Sequence, residues 1–200
     1  MSFYQNCCKP EGKQGKLMVT LMNCGHSFVS HWGLKHIQVK ETDTCLDIGC
    51  GGGANVKRLL KKSKKVIGLD YSDVSVEKTK QLNQKAIQER RCEAVQGDVM
   101  NLPFEEETFN VVTAFETIYF WPDLKKSFEE VYKVLQEDGT FLCVNEYSKE
   151  TESNKKYEEM IKGMKIHSTQ EVIELLEKVG FKVIQYDENK LGWMSVVATK

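Results

Sequence analysis

From residue 44 onward, short apolar runs rich in β-branched and aromatic residues alternate with stretches whose apolar positions recur every three or four residues. The first pattern predicts strands, the second amphipathic helices, and their alternation predicts an α/β sheet. "TCLDIG" (44–49) is the first predicted strand and "ANVKRLLKKS" (54–63) the helix after it. "KVIGLD" (65–70) is apolar almost throughout, as a strand covered on both faces must be. A helix over 73–90 follows, with Thr79, Leu82 and Ala86 predicted on its inner face. "CEAVQGD" (92–98) and "FNVVTAFE" (109–116) read as the third and fourth strands.

Leu124, Phe128, Val131 and Leu135 form a stripe with helical spacing over 123–135, and "EDG" (137–139) turns the chain into a fifth strand, "TFLCVNE" (140–146). A helix over 169–179 is announced by a capping box from Ser168 to Glu171; it buries Val172, Leu175, Leu176 and Val179 and ends at Gly180. The last two strands, 182–188 and 193–200, are joined by "NKLG", too short for a parallel crossover, so they must pair antiparallel. Two segments stand outside the alternation. Residues 1–40 predict two short helices separated at "NCGHS", with Gly25 as stop and Ser27 as start. Residues 149–166, polar and lysine-rich, predict an exposed helix over the sheet edge.

Composition narrows the class. Two hundred residues, 40% apolar and 28% charged, fit one globular domain, with 1–40 as a helical cover and 41–200 as the core. A formal net charge of −1 argues against a dedicated nucleic-acid binder. No apolar run approaches the ~20 residues of a membrane span, and the first sixteen residues lack the apolar centre of a signal peptide. Seven scattered cysteines and no export signal predict a cytoplasmic chain with reduced thiols. His26, His31 and His36 are five residues apart, about 140° around a helix, and no Cys-x-x-Cys pair exists, so no metal site is expected from these residues. Cys7, Cys8 and Cys24 leave open a thiol-dependent acceptor site, such as one for a soft metalloid.

The candidate chemistry begins at "LDIGCGGGANV" (46–56), where a strand runs through a glycine cluster into a helix. Such a junction lets backbone approach a ligand closely. A triphosphate loop is excluded, because the lysine followed by Ser or Thr that it requires is missing. A dinucleotide stays possible: Gly49-x-Gly51-x-x-Ala54 fits the fingerprint, with Asp70 where a ribose-binding acid belongs. Asp47 just before the glycines is awkward beside a pyrophosphate and suits a ligand with a positive or amino group. Asp98 adds an acid at the end of strand three, and the terminal hairpin is foreign to the ordinary dinucleotide fold.

With "LDIGCGGG", "GLDYS", "GDVMNLPF", "FNVVTAFETIYFWPD" and "VLQEDGTFLCVNE" in this order, the chain resembles class I S-adenosylmethionine-dependent methyltransferases, of the small-molecule, ubiquinone/menaquinone-biosynthesis-like group, over about 40–148 and 165–200. The resemblance implies a seven-stranded Rossmann-like sheet of order 3-2-1-4-5-7-6 with strand seven antiparallel. It implies that Gly49 and Gly51, with Cys50 between them, pass beneath the methionine moiety, and that Asp47 lies near its amino group. Asp70 would accept the ribose hydroxyls, with Tyr71 beside the adenine, Asp98 on the adenine amino group and the Val99 amide on a ring nitrogen. Phe115 and Glu116 would border the transferable methyl.

Methyl transfer from a sulfonium is an in-line displacement that needs alignment and desolvation, plus a base where the acceptor is a hydroxyl, phenol or thiol. The core uses most of the chain, so the acceptor pocket is expected from residues 1–40 and the loops after strands four and five. His26 or His31 is the candidate base, beside Glu116 and Tyr119, with Trp32, Tyr119 and Trp121 as walls. "FETIYF" stands where amino-methylating nucleic-acid enzymes carry Asn/Asp-Pro-Pro-aromatic, which favours a small-molecule acceptor. The products would be methylated acceptor and S-adenosylhomocysteine, from a monomer or homodimer. Two other readings stand beside this one: a cofactor-binding subunit without transfer activity, and a nicotinamide oxidoreductase.

Overall fold

The structure, a computed structural model, describes residues 3–149 and 151–200. Strands β1 (Thr44–Ile48), β2 (Lys65–Asp70), β3 (Cys92–Gln96), β4 (Phe109–Phe115), β5 (Leu135–Asn145), β6 (Lys182–Glu188) and β7 (Met194–Thr199) form one sheet. Its order is β3-β2-β1-β4-β5-β7-β6, the order the resemblance implies. β1 to β5 run parallel, and β7 pairs antiparallel with both β5 and β6. The central strands are buried almost residue by residue, whereas edge strand β6 is exposed along most of its length. Its lysine, aspartate and glutamate suit an edge facing water.

Helices α1 (Gly12–Gly25), α2 (Ser27–Gly33), α3 (Ala54–Leu59), α4 (Asp73–Leu82), α5 (Gln84–Gln88), α6 (Leu124–Val134), α7 (Glu152–Met160) and α8 (Thr169–Val179) cover the sheet. The α6 stripe is buried as its spacing predicts and meets α8 over one face, where Phe109, Phe128 and Phe141 are fully enclosed. On α8, Val172 and Leu176 are buried with Ile173, while Leu175 and Val179 are half-buried. Val56 and Leu59 of α3 pack against Val66, Cys92 and Val111 elsewhere in the sheet. Val29 of α2 packs on Phe115, Leu142 and Val144, so the cover is anchored directly to β4 and β5. Among the described residues no helix is long and apolar enough to cross a membrane.

Four expectations are corrected. The helix predicted over 73–90 breaks at Asn83, whose Nδ2 donates to the carbonyls of Gly53 and Thr79 instead of leaving the helix surface smooth. Leu82, beside the break, is therefore 41% exposed, while Thr79 is buried. β5 begins at Leu135, five residues early, because "EDG" enters the strand as an irregularity with Asp138 at φ 58°. Ser168 caps α8 by accepting the Glu171 amide, but the Glu171 carboxylate is engaged by His167 and Lys165, so the reciprocal capping box is absent. Finally, the segment after β5 does not lie along a sheet edge. Tyr157 stacks on Tyr147, and Gln5 exchanges two hydrogen bonds with the Lys162 backbone, which draws the segment over the C-terminal strand ends.

Asp47 is the one acid within β1, 2% exposed, and accepts a hydrogen bond from the hydroxyl of Thr113 on β4 at 2.7 Å. Burial pushes its pKa up to about 7, against the pull of Thr113 and Arg58. An unfolded aspartate releases its proton near pH ~4, so from there to about 7 the folded chain holds a proton that the unfolded chain has lost. Stability then falls as pH rises through that window and levels above it. Denaturation midpoints should be higher at pH 5 than at pH 8, and Asp47→Asn should shrink the difference; an unchanged difference in the variant would contradict the assignment. Phe128→Ala should cost ~3–5 kcal/mol by the same measurement, because its ring is fully enclosed.

Candidate active site

A cavity of ≈ 870 Å³ opens at the C-terminal ends of β1, β2 and β4, where the strand order reverses direction. Its floor is the glycine loop. Gly49, Gly51 and Gly53 have φ of 69°, 53° and 77°, the left-handed region that favours glycine. At Gly49 a Cβ would lie 2.2 Å from Thr117 Oγ1, so neighbouring protein forbids a side chain. At Gly51 a Cβ would meet nothing within 4 Å; the space it would enter belongs to the cavity. The loop is tied down from behind. Thr79 Oγ1 donates to the Gly51 carbonyl at 3.0 Å, Asn83 to that of Gly53 and Asn23 of the cover to that of Gly52, each at 3.2 Å.

Asp70, at the end of β2, accepts the Gly51 amide on Oδ2 and the Ser72 amide on Oδ1, both at 2.8 Å. Burial pushes its pKa up while the two amides pull it down, and burial prevails. The carboxylate also lines the cavity, so its remaining lone pairs face ligand space. Tyr71 lines the cavity with an exposed ring, Lys9 Nζ lying 4.7 Å from its centre. Asp98, exposed, accepts the Met100 amide at 2.9 Å, and buried Val99 beside it completes that wall. Cys50 also lines the cavity, but burial pushes its thiol well above the ordinary range and Thr79 Oγ1 lies 3.4 Å away, so it is a small packing residue and no nucleophile.

Asp47 does not line the cavity; it lies under the loop. The charged group that does face the cavity there is Arg58, whose guanidinium donates to Asn55 Oδ1 and Ser27 Oγ at 2.8 Å each. Arg58, within the helix predicted over 54–63, is not among the site residues expected from the sequence. Arg58 is four residues after Ala54, which also lines the cavity, so helical spacing from the loop was the available signal.

At the other end of the cavity, Phe115 and Glu116 follow one another at the exit of β4. Glu116 has φ 59°, rare for a residue with a side chain, and its Oε1 accepts the Glu146 amide. Burial and the nearby Glu146 carboxylate push its pKa well up. His26, at the α1–α2 junction, lines the cavity, and burial pushes its pKa down. Trp121 lines it too and donates to Thr117 Oγ1 at 3.3 Å.

Three residues expected at this end do not reach it. His31 is exposed on α2 and bonds the Ser27 carbonyl of its own helix at 2.7 Å, because five residues after His26 it points away from the floor. Tyr119 is 3% exposed, and its hydroxyl accepts the Tyr147 amide at 2.8 Å, making it a strut between the loops after β4 and β5. Trp32 packs edge-on against Trp193 and His36, anchoring the cover. Of the three N-terminal cysteines, Cys7 and Cys8 line the cavity and Cys24 is exposed outside it; burial pushes the Cys7 and Cys8 thiols up, away from the reactive thiolate.

Comparison with known proteins agrees with this geometry. Residues 46–143 match a family described as "Methyltransferase domain". The sterol 24-C-methyltransferase of Kluyveromyces lactis is 30% identical over 164 residues, covering 77% of this chain and 44% of the relative. That of Pneumocystis carinii is 26% identical over 171 residues, covering 79% and 45%. The chain thus spans about half the length of the curated relatives it matches. Among solved structures, the complex of the Haloferax volcanii Trm112 methyltransferase activator with a methyltransferase superposes with a TM-score of 0.85 at 22% identity, covering 91% of this chain and 93% of that one. Matched sequence, strand order and a glycine floor set against Asp70 coincide: residues 46–143 carry the methyltransferase-domain match on the sheet order that the resemblance implies.

Proposed function

We propose that this chain, acting as a single methyltransferase domain with residues 1–40 as its cover, transfers a methyl group from S-adenosylmethionine to a small-molecule acceptor and releases S-adenosylhomocysteine. The observation that carries this reading is the Asp70 carboxylate, fixed by two amides beside a left-handed glycine loop and still facing the cavity. Two adjacent hydroxyls on a ribose match its free lone pairs, and the open space above Gly51 admits a chain passing close to the backbone. Tyr71 and Val99 offer apolar faces for a purine, with Asp98 able to accept its amino group. Arg58 is the cation positioned for the donor's carboxylate, while Asp47, expected near its amino group, lies beneath the loop and outside the cavity wall.

When bound, the donor supplies a methyl on a sulfonium, electrophilic without further activation. The protein's part is alignment and exclusion of water. Phe115, Phe120, Trp121 and Met22 give the acceptor end apolar walls, while His26 and Glu116 are its groups able to take a proton. A cavity of ≈ 870 Å³ falls in the ~300–1,000 Å³ range of small-molecule sites. The sterol relatives act on a lipid, and the apolar walls fit an acceptor with an apolar body. All seven cysteines are free, which suits a reducing cytoplasm.

Incubation with S-adenosylmethionine labelled in the methyl group and a fractionated metabolite extract should place label in a small molecule. Binding of S-adenosylhomocysteine with no label in any fraction would instead favour a subunit that holds the cofactor without transfer. Asp70→Ala should weaken S-adenosylhomocysteine binding by about 100-fold, since it removes charge-assisted bonds worth roughly 3 kcal/mol. Calorimetry checks this alongside circular dichroism, and unchanged affinity in a folded variant would refute the ribose assignment.

A further inference from the structure

We propose that His26, Glu116 and Glu146 form a binding site for a divalent cation where the acceptor end of the cavity, lined by His26 and Glu116, borders a second pocket lined by Glu146, and that the cation receives the acceptor through oxygen. The second half rests on the methyltransferase reading; the first stands on geometry. One ligand atom from each residue lies within 4.8 Å of the other two. The residues come from three separate places. β4 and β5 are neighbouring parallel strands, so Glu116 and Glu146, each the first residue after its strand, emerge side by side. The α1–α2 junction lowers His26 onto them. Cations with bonds of about 2.1 Å hold ligand atoms about 3–4 Å apart, so small side-chain adjustments close the set.

The three groups are available. One Glu116 oxygen accepts the Glu146 amide, which fixes the carboxyl and leaves its other oxygen for the cluster. Among the described residues neither the His26 ring nor the Glu146 carboxylate has a hydrogen-bond or ion-pair partner, and no lysine or arginine pairs with either glutamate. Of the cations on the cavity wall, Arg58 is committed to Asn55 and Ser27, and Lys9 pairs with Glu11 and lies over Tyr71. Tyr119, a further titratable group near Glu116 along with Cys143 and Tyr147, engages the Tyr147 backbone through its hydroxyl. Two carboxylates this close repel unless a proton or a cation lies between them. The left-handed φ of Glu116 aims its side chain out of the strand line and into the cavity. The N-terminal histidine spacing was unable to reveal this site, because it takes His26 alone from the cover and two acids from distant strand ends.

One imidazole nitrogen and two carboxylate oxygens suit Mn²⁺, Fe²⁺ or Mg²⁺ better than a thiophilic ion. An octahedral cation held by three protein atoms keeps up to three positions for other ligands. That geometry selects acceptors with two adjacent oxygen donors, one a hydroxyl. The cation lowers the hydroxyl's pKa and its proton passes to solvent; the oxygen–carbon bond then forms as the sulfur–carbon bond breaks, leaving a neutral thioether. His26 and Glu116 are ligands in this arrangement and the cation does the work of a base.

The test is Mn²⁺ titration of the full chain, read by electron paramagnetic resonance, with His26→Ala and Glu146→Gln alongside and S-adenosylhomocysteine binding measured on the same samples. One Mn²⁺ per chain is expected, weakened about tenfold or more in each variant, with S-adenosylhomocysteine affinity kept in Glu146→Gln. No Mn²⁺ bound, or binding that neither substitution changes, would overturn the cation site and leave the methyltransferase reading standing if S-adenosylhomocysteine still binds. Mn²⁺ held through these residues with no S-adenosylhomocysteine binding would uphold the site and remove the methyltransferase reading.

Discussion

The Asp70 carboxylate joins three elements that would otherwise be independent. Its two oxygens take the Gly51 amide of the loop after β1 and the Ser72 amide that opens α4, while its backbone ends β2. Each amide bond to a charged oxygen contributes about 1.5–3 kcal/mol, yet burial still raises its pKa, so the clamp is held against an electrostatic cost. That cost is tolerable only if the surroundings are rigid. Thr79, Asn83 and Asn23 supply the rigidity by occupying the loop carbonyls from α4, the α4–α5 break and the cover. The helix break at Asn83 is thus part of the site, since the same amide that interrupts the helix holds Gly53.

The far end of the cavity is organised by a different constraint. Parallel β4 and β5 deliver Glu116 and Glu146 side by side, and the backbone pays in a left-handed φ at Glu116 to turn its carboxyl inward. Tyr119 bridges the two exit loops from beneath, and the cover packs on Phe115 and Val144 from above. The cofactor end is held mainly by hydrogen bonds to backbone and the acceptor end by convergent side chains. Such a division lets one cofactor site serve many acceptors, because only the second end needs to change.

The strands and their order were readable because a parallel sheet covered on both faces requires continuous apolar runs, as in β2, and because a four-residue connector forces β6 and β7 antiparallel. The loop and Asp70 were readable for a local reason: φ > 0 and an acid at a strand end leave marks in the residue types themselves. Asn23 and Thr117 left no such mark, since their roles depend on which distant element arrives beside them, and Arg58 offered only its helical spacing from Ala54. The histidines show the same limit. Spacing separates His26 from His31 by their directions on the cover, but only the docking of Val29 against β4 and β5 decides which direction is inward. Asp47 lies in the strand where the sequence puts it and does not line the cavity, because strand position does not reveal how much of the loop lies above it.

The most direct measurement is calorimetric titration of the unmodified chain with S-adenosylhomocysteine and, separately, with NAD. A methyltransferase-domain match, a sheet ending in an antiparallel hairpin and a floor of glycines set against Asp70 predict saturable heat with S-adenosylhomocysteine and none with NAD. Saturable heat with NAD alone would contradict the account.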